Sequence, residues 1–139
     1  MLMLIPWLKV KEDLVQMKAF IVDDSDLLRE RVIGLISEID GVEIVGETNS
    51  MLGAVDKIKA SLPDVLILDI HMKEGNGIEI LKRIRRTDLV PIVIMLTNYP
   101  YPQYREKCEA AGANFFLHKA TEFQKLVDII EELSISIKS

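Results

Sequence analysis

AFIVDDSD, running from Ala19 to Asp26, decides how the rest of the chain is read. Four apolar residues lead directly into Asp23 and Asp24, and Asp26 follows. A continuous apolar run rich in Ile, Val and Phe fits a strand covered on both faces. Neighbouring carboxylates at its end repel one another unless something cationic lies between them. The question is which other residues complete that arrangement.

Four more short runs lie downstream: VEIVGE (42–47), VLIL (65–68), PIVIML (91–96) and NFFL (114–117). The first of these alternates, with Val42, Ile44 and Gly46 on one face, and is expected at a sheet edge. Helical spacing fills the intervals. Residues 26–39 carry Leu28, Val32, Leu35, Ile36 and Ile39, and residues 50–61 carry Met51, Val55 and Ile58, with Leu62 before Pro63. Residues 77–86 carry Ile78, Leu81 and Ile84, and residues 122–133 carry Phe123, Leu126, Val127, Ile130 and Leu133. Thr121 and Gln124 fit a capping box for the last of these. The stretch from Gln103 to Ala111 is mostly polar, with Tyr104, Cys108 and Ala111 as inward candidates. Strands alternating with helices predict an α/β fold, a doubly wound parallel sheet with helices on both faces.

A length of 139 residues suits one domain, and 49% hydrophobic with 28% charged residues allows both a core and solubility. The net charge of −5 argues against nucleic acid as a partner. A single cysteine, Cys108, excludes an internal disulfide and a multi-cysteine zinc site, and reads as a small core residue. His71 and His118 lack the spacing of a transition-metal pair. MLMLIPWLKV is too short to span a membrane and has no basic region or cleavage site. Met17 opens MKAFIVDD as a natural start would, so residues 1–16 are expected to be an extension outside the main fold. A docking helix and a start codon assigned too early both fit that segment. The main fold is expected over 17–133, with 134–139 as a short tail.

Ligands of parallel sheets bind beyond the carboxyl ends of the strands. The residues that follow the runs are Asp23 and Asp24, then Asp69, Thr97 and Lys119. Three clustered acids are hard oxygen ligands that leave room for water, which suits Mg²⁺. An ammonium and a hydroxyl beside a metal-bound carboxylate suit a phosphoryl group. The central acid, Asp69, can then act as nucleophile, because carboxylates form acyl phosphates.

With this set the chain resembles a receiver domain of the two-component response-regulator family, of chemotaxis type, over about residues 17–133. The combination of positions is specific, whereas each alone is weak. The resemblance implies a flavodoxin-like (βα)5 sandwich with strand order 2-1-3-4-5. It implies a cytoplasmic signalling domain rather than an enzyme with a substrate of its own. Asp69 would accept a phosphoryl group from a sensor histidine kinase or phosphotransfer protein, and the signal would pass to a protein partner or along a phosphorelay. Asp23 and Asp24 match the metal-binding acids, and the main-chain carbonyl of His71 would add a ligand. Thr97 and Lys119 match the residues that report the phosphate, and Phe116 matches the aromatic switch position. No effector domain is recognised in the chain, so the output is expected to be a contact or onward transfer.

HMKEGNGIE supports the likeness, with Met72 and Gly77 at family positions and Lys73 and Glu74 where a proline is common. Ala120 replaces the usual proline after the lysine, so the Lys119–Ala120 peptide is expected to be trans; the cis form costs about 2.5–4 kcal/mol before a non-proline residue. Asn98 stands where a small residue is usual, and NYPYP puts two prolines where the fourth helix should begin. Tyr99, Tyr101 and Tyr104 read either as a partner face or as ordinary surface tyrosines. Two other functions compete. A phosphohydrolase of the haloacid dehalogenase type needs DxDx[TV], and DDSDL lacks the Thr or Val. A receiver-like adaptor that ignores phosphate would be expected to have lost an acid or the lysine.

Overall fold

The computed structural model describes residues 17–138. The expectations for residues 1–16 lie outside the described residues. Five strands form one parallel sheet: β1 (Met17–Val22), β2 (Val42–Thr48), β3 (Val65–Asp69), β4 (Ile92–Thr97) and β5 (Phe115–His118). Their order across the sheet is β2-β1-β3-β4-β5, as expected, with β2 at an edge. A short ribbon, His71–Met72 against Gly75–Asn76, follows β3. The helices are α1 (Asp26–Ile36), α2 (Ala54–Ser61), α3 (Gly77–Arg85), α4 (Pro102–Ala110) and α5 (Phe123–Lys138). Among the described residues no helix is long and apolar enough to cross a membrane.

The central strands are apolar at nearly every position ahead of their carboxyl ends, because both faces are covered. Alternate residues of β1 divide between two cores: Phe20 and Val22 pack with Ala54, Ile58 and Leu81, whereas Ala19 and Ile21 pack with Val32, Ile36 and Leu126. The same alternation sends Phe116 into the first core and leaves Phe115 36% exposed. Cys108 is fully buried, and burial pushes its thiol up to about 11, in keeping with a packing role.

Several local expectations needed revision. The β1–β2 register shifts after Ala19, which pairs with Ile44, whereas Phe20 pairs with Gly46. Val45 is therefore an extra residue, and the Phe20 ring lies where a Cβ on Gly46 would go. Ser25 caps α1, accepting the Leu28 N–H at 3.2 Å. Leu35 and Leu62, both expected to face inward, are 36% and 57% exposed. The Thr121–Gln124 capping box does not form: Thr121 pairs with His118 Nδ1 and Gln124 donates to Asp128. Glu122 instead accepts the His118 N–H. The last helix continues past Leu133 to Lys138, with Ser134 and Ser136 returning their hydroxyls to the Glu131 and Glu132 carbonyls. The prolines of NYPYP do not prevent α4; Pro102 occupies its first turn, where no N–H is needed.

Gly77 is where the fold leaves no room for a side chain. Its N–H donates to the Ile70 carbonyl at 2.8 Å, and a Cβ there would overlap the Asp69 carbonyl. Gly77→Ala is expected to cost about 2–3 kcal/mol in urea denaturation, because backbone at the end of β3 must move. An unchanged midpoint would contradict this.

Candidate functional site

The carboxyl ends of β1, β3 and β5 bring Asp23, Asp24, Asp69 and Lys119 together. Carboxylate oxygens of the three acids lie within 4.8 Å of one another. Lys119 Nζ sits 2.8 Å from Asp23 Oδ2 and 3.2 Å from Asp69 Oδ1, with all three side chains largely buried. The contact with Asp23 Oδ2 is close but not aligned as a hydrogen bond, so that buried oxygen has no hydrogen-bond donor. Each acid is also held by backbone. Asp23 Oδ1 accepts the Ser25 N–H at 2.8 Å, Asp24 Oδ2 accepts the Lys73 N–H at 3.0 Å, and Asp69 Oδ1 accepts the His71 N–H at 3.2 Å. Arg29 Nη1 donates to the Asp23 carbonyl at 2.8 Å while its other nitrogens pair with Asp26 and Glu47. Asp26 is thus a first-turn acid of α1, apart from the cluster.

The electrostatics follow from this crowding. Asp69 is 3% exposed, and its carboxyl is pushed up to about 6. Burial is the main cause and the neighbouring Asp23 charge the second; Lys119 and the His71 N–H act in the opposite direction. Such a cluster offers three hard oxygen donors and a net excess of negative charge, the chemistry that fits a small divalent cation.

Thr97 is not joined to the acids. It is fully buried on the neighbouring strand, and its hydroxyl accepts the Tyr99 N–H at 2.9 Å and reaches the Tyr99 carbonyl at 3.4 Å. Its own carbonyl accepts the Lys119 N–H at 2.9 Å. Phe116 is 5% exposed, with the Arg105 guanidinium 4.7 Å from its ring centroid. The Lys119–Ala120 peptide is trans.

The sequence reading did not place the His71 side chain. Its ring stands edge-on to Tyr99 at 4.8 Å and to Tyr104 at 5.1 Å, and its buried Nε2 has no hydrogen-bond partner. Tyr99 and Tyr101 stack at 6.4 Å and are about half exposed, so these tyrosines both contact the site loop and reach solvent. The three tyrosines share one stretch of sequence, but no local signal brings His71, from the ribbon after β3, to them.

A family model for the response regulator receiver domain matches residues 19–131. The chain belongs to that family, the receiver domains of two-component response regulators. It is 36% identical over 107 residues to a protein-glutamate methylesterase/protein-glutamine glutaminase of Alkalilimnicola ehrlichii, covering 76% of this chain and 27% of that protein. It is 30% identical over 118 residues to the sensory transduction protein LytT of Enterococcus faecalis, covering 85% and 48%. Among solved structures, a DNA-binding response regulator of the LuxR family from Staphylococcus aureus superimposes with a TM-score of 0.77 at 30% identity, over 85% of this chain and 98% of that one. The response regulator domain of Thermotoga maritima CheB gives 0.76 at 26% identity, over 88% and 96%. The chain spans between about a quarter and a half of the length of these two curated relatives.

Proposed function

We propose that this chain is a phosphoacceptor switch in the cytoplasm, taking a phosphoryl group on Asp69 from a sensor histidine kinase or phosphotransfer protein. The observation that carries the reading is the buried Asp69 carboxylate held between Lys119 and the paired acids of β1. Its Oδ1 takes the contacts from Lys119 and the His71 N–H, which leaves Oδ2 to attack phosphorus. An O–P bond forms as the N–P bond of phosphohistidine breaks and the imidazole leaves. Hydrolysis of the acyl phosphate later returns the carboxylate and inorganic phosphate. Lys119 would hold the new phosphoryl oxygens, joined by the Thr97 hydroxyl once it turns from Tyr99. Asp23, Asp24 and Asp69, with the His71 carbonyl, would hold Mg²⁺, which neutralises the acid cluster and the oxygens of the donor.

A cleft of about 270 Å³ beside the site is lined by Leu27, Leu28, Arg31, Asn98, Lys119 and Ala120, and Leu27 is 77% exposed. An exposed leucine at the mouth of a charged site supports a protein as donor. The output is a contact with a further protein or onward phosphotransfer.

The test is incubation of the full chain with Mg²⁺ and acetyl phosphate, followed by intact mass and peptide mapping. One phosphoryl group on Asp69 is expected. Turnover of a phosphate ester without labelling would point to a hydrolase instead.

A companion prediction concerns the metal. Asp24→Ala should fold normally, since Asp24 is only half-buried and spends its bond on the Lys73 N–H. Its Mg²⁺ affinity should fall by roughly tenfold or more, as loss of metal-site groups commonly does. Calorimetric titration that gives the parent affinity would sink this assignment.

A further inference from the structure

At the amino ends of the strands, on the side away from Asp69, α1 and α5 leave a groove of about 500 Å³. That volume lies in the range of sites that enclose a small ligand or several large side chains. Its walls are Leu35, Ile39, Val127 and Ile135, and its rim carries Glu38, Asp40 and Glu131. Leu35 lies on the face that helical spacing assigns to the interior, yet it is 36% exposed, and Ile135 is 65% exposed. The turn of α5 beyond Leu133 is what builds the Ile135 wall.

We propose that residues 1–16 of this same chain occupy that groove. Chain connection is the first argument. Met17 N donates to the Gly41 carbonyl at 2.6 Å, so β1 begins directly beside Ile39 and Asp40. A few residues, at up to about 3.5 Å each, cross the width of a helix, so the groove is within reach of the whole segment. Composition is the second. The segment offers Trp7, Leu8 and Val10, then Leu14 and Val15, as apolar groups for apolar walls. Charge placement is the third. Lys9 and Lys11 flank Val10 and are opposite in sign to Glu38 and Glu131 of the rim, while Glu12 and Asp13 stand on the side nearer Met17. A second copy of the chain offers the same apolar and basic groups, but only the chain's own segment starts at the edge of the groove.

Trp7 is the sole tryptophan, so its fluorescence reports the segment without a label. Acrylamide quenching is measured on the full chain at low salt and several protein concentrations. The readout needs neither metal nor phosphoryl donor and is independent of the Asp69 reading. Trp7 should be shielded relative to the urea-unfolded chain, equally at all concentrations. Reversing the rim in Glu38→Lys/Glu131→Lys, or the segment in Lys9→Glu/Lys11→Glu, should shift the docking equilibrium by about two- to fivefold per pair lost. Combining all four reversals should restore the shielding. Leu35→Asp, a change at a partly exposed position, should raise quenching by itself. Equal quenching of folded and unfolded parent chains overturns the proposal, as does shielding that ignores both charge reversals and Leu35→Asp. Shielding that grows with protein concentration overturns it in favour of a second copy as occupant.

Discussion

Asp69→Asn is expected to lose all labelling by acetyl phosphate and, in metal-free buffer near neutral pH, to unfold at a higher temperature than the parent. The first outcome follows from removing the nucleophilic oxygen while preserving shape. The second follows from electrostatics. The folded-state carboxyl of Asp69 is raised to about 6, mainly by burial and then by Asp23. Its unfolded value lies near 3.9. Between those values the folded state holds a proton that the unfolded state has released, so stability falls as pH rises through that window. Above about pH 6 the full penalty is in place, of order 2–3 kcal/mol at about 1.36 kcal/mol for each pH unit of separation.

Asparagine removes the charge but keeps an oxygen to accept from the His71 N–H, and Lys119 retains Asp23 at 2.8 Å. The midpoint should rise by roughly 5 °C or more. Two controls follow. The advantage of the variant should shrink below about pH 5, where the parent carboxyl is protonated in the fold. Added Mg²⁺ should raise the parent midpoint more than that of the variant, because a cation bound by the native cluster stabilises it by mass action. Calorimetric scans at several pH values with chelator or Mg²⁺ give all of these comparisons. A variant less stable than the parent at pH 7 without metal would mean that Lys119 more than balances the burial of Asp69.

How much of this was legible beforehand depends on where each contact is encoded. The two cores were readable because the strands are mostly apolar runs, each ending at its chemical group, and the strand order came from the resemblance those groups carry. The acids and Lys119 were readable for the same reason: each lies at or within two residues of a strand's carboxyl end. The bulge at Val45 was not, because it depends on the Phe20 ring crossing Gly46 in a neighbouring strand. SISIK read as a tail because serine and β-branched residues favour helices weakly. It stays helical because the serine hydroxyls bond back to their own helix and Ser134 is buried. The Thr97 hydroxyl turns to Tyr99 two residues on, and the His71 ring meets Tyr99 from a loop nearly thirty residues away; no periodicity carries either contact.

Those two unforeseen contacts give the second large prediction: phosphorylation should act on α4 through Tyr99. The Thr97 hydroxyl now holds both the N–H and the carbonyl of Tyr99. If that hydroxyl turns to a phosphoryl oxygen on Asp69, the part-buried Tyr99 backbone loses its partner and has to find another. Tyr99 must then move, and with it the edge-on contact to His71, whose ring also leans on Tyr104 in the first turn of α4. His71 is tied in turn to Asp69 through its N–H, so both routes from the carboxylate lead to the same helix end. That helix is the one most easily displaced, because Cys108 is its only fully buried side chain. Arg105, which covers the Phe116 ring, lies on it as well, so a shift of α4 also uncovers Phe116. Hydrogen exchange with and without beryllofluoride and Mg²⁺ should therefore change mainly in residues 97–118, by roughly tenfold or more in rate for α4. Thr97→Val should remove the change while leaving beryllofluoride binding measurable. His71→Ala should reduce it while leaving Asp69 labelling intact, since its backbone contacts remain. Exchange differences confined to α1 or α2, or a full response in Thr97→Val, would show that the signal leaves Asp69 by another path.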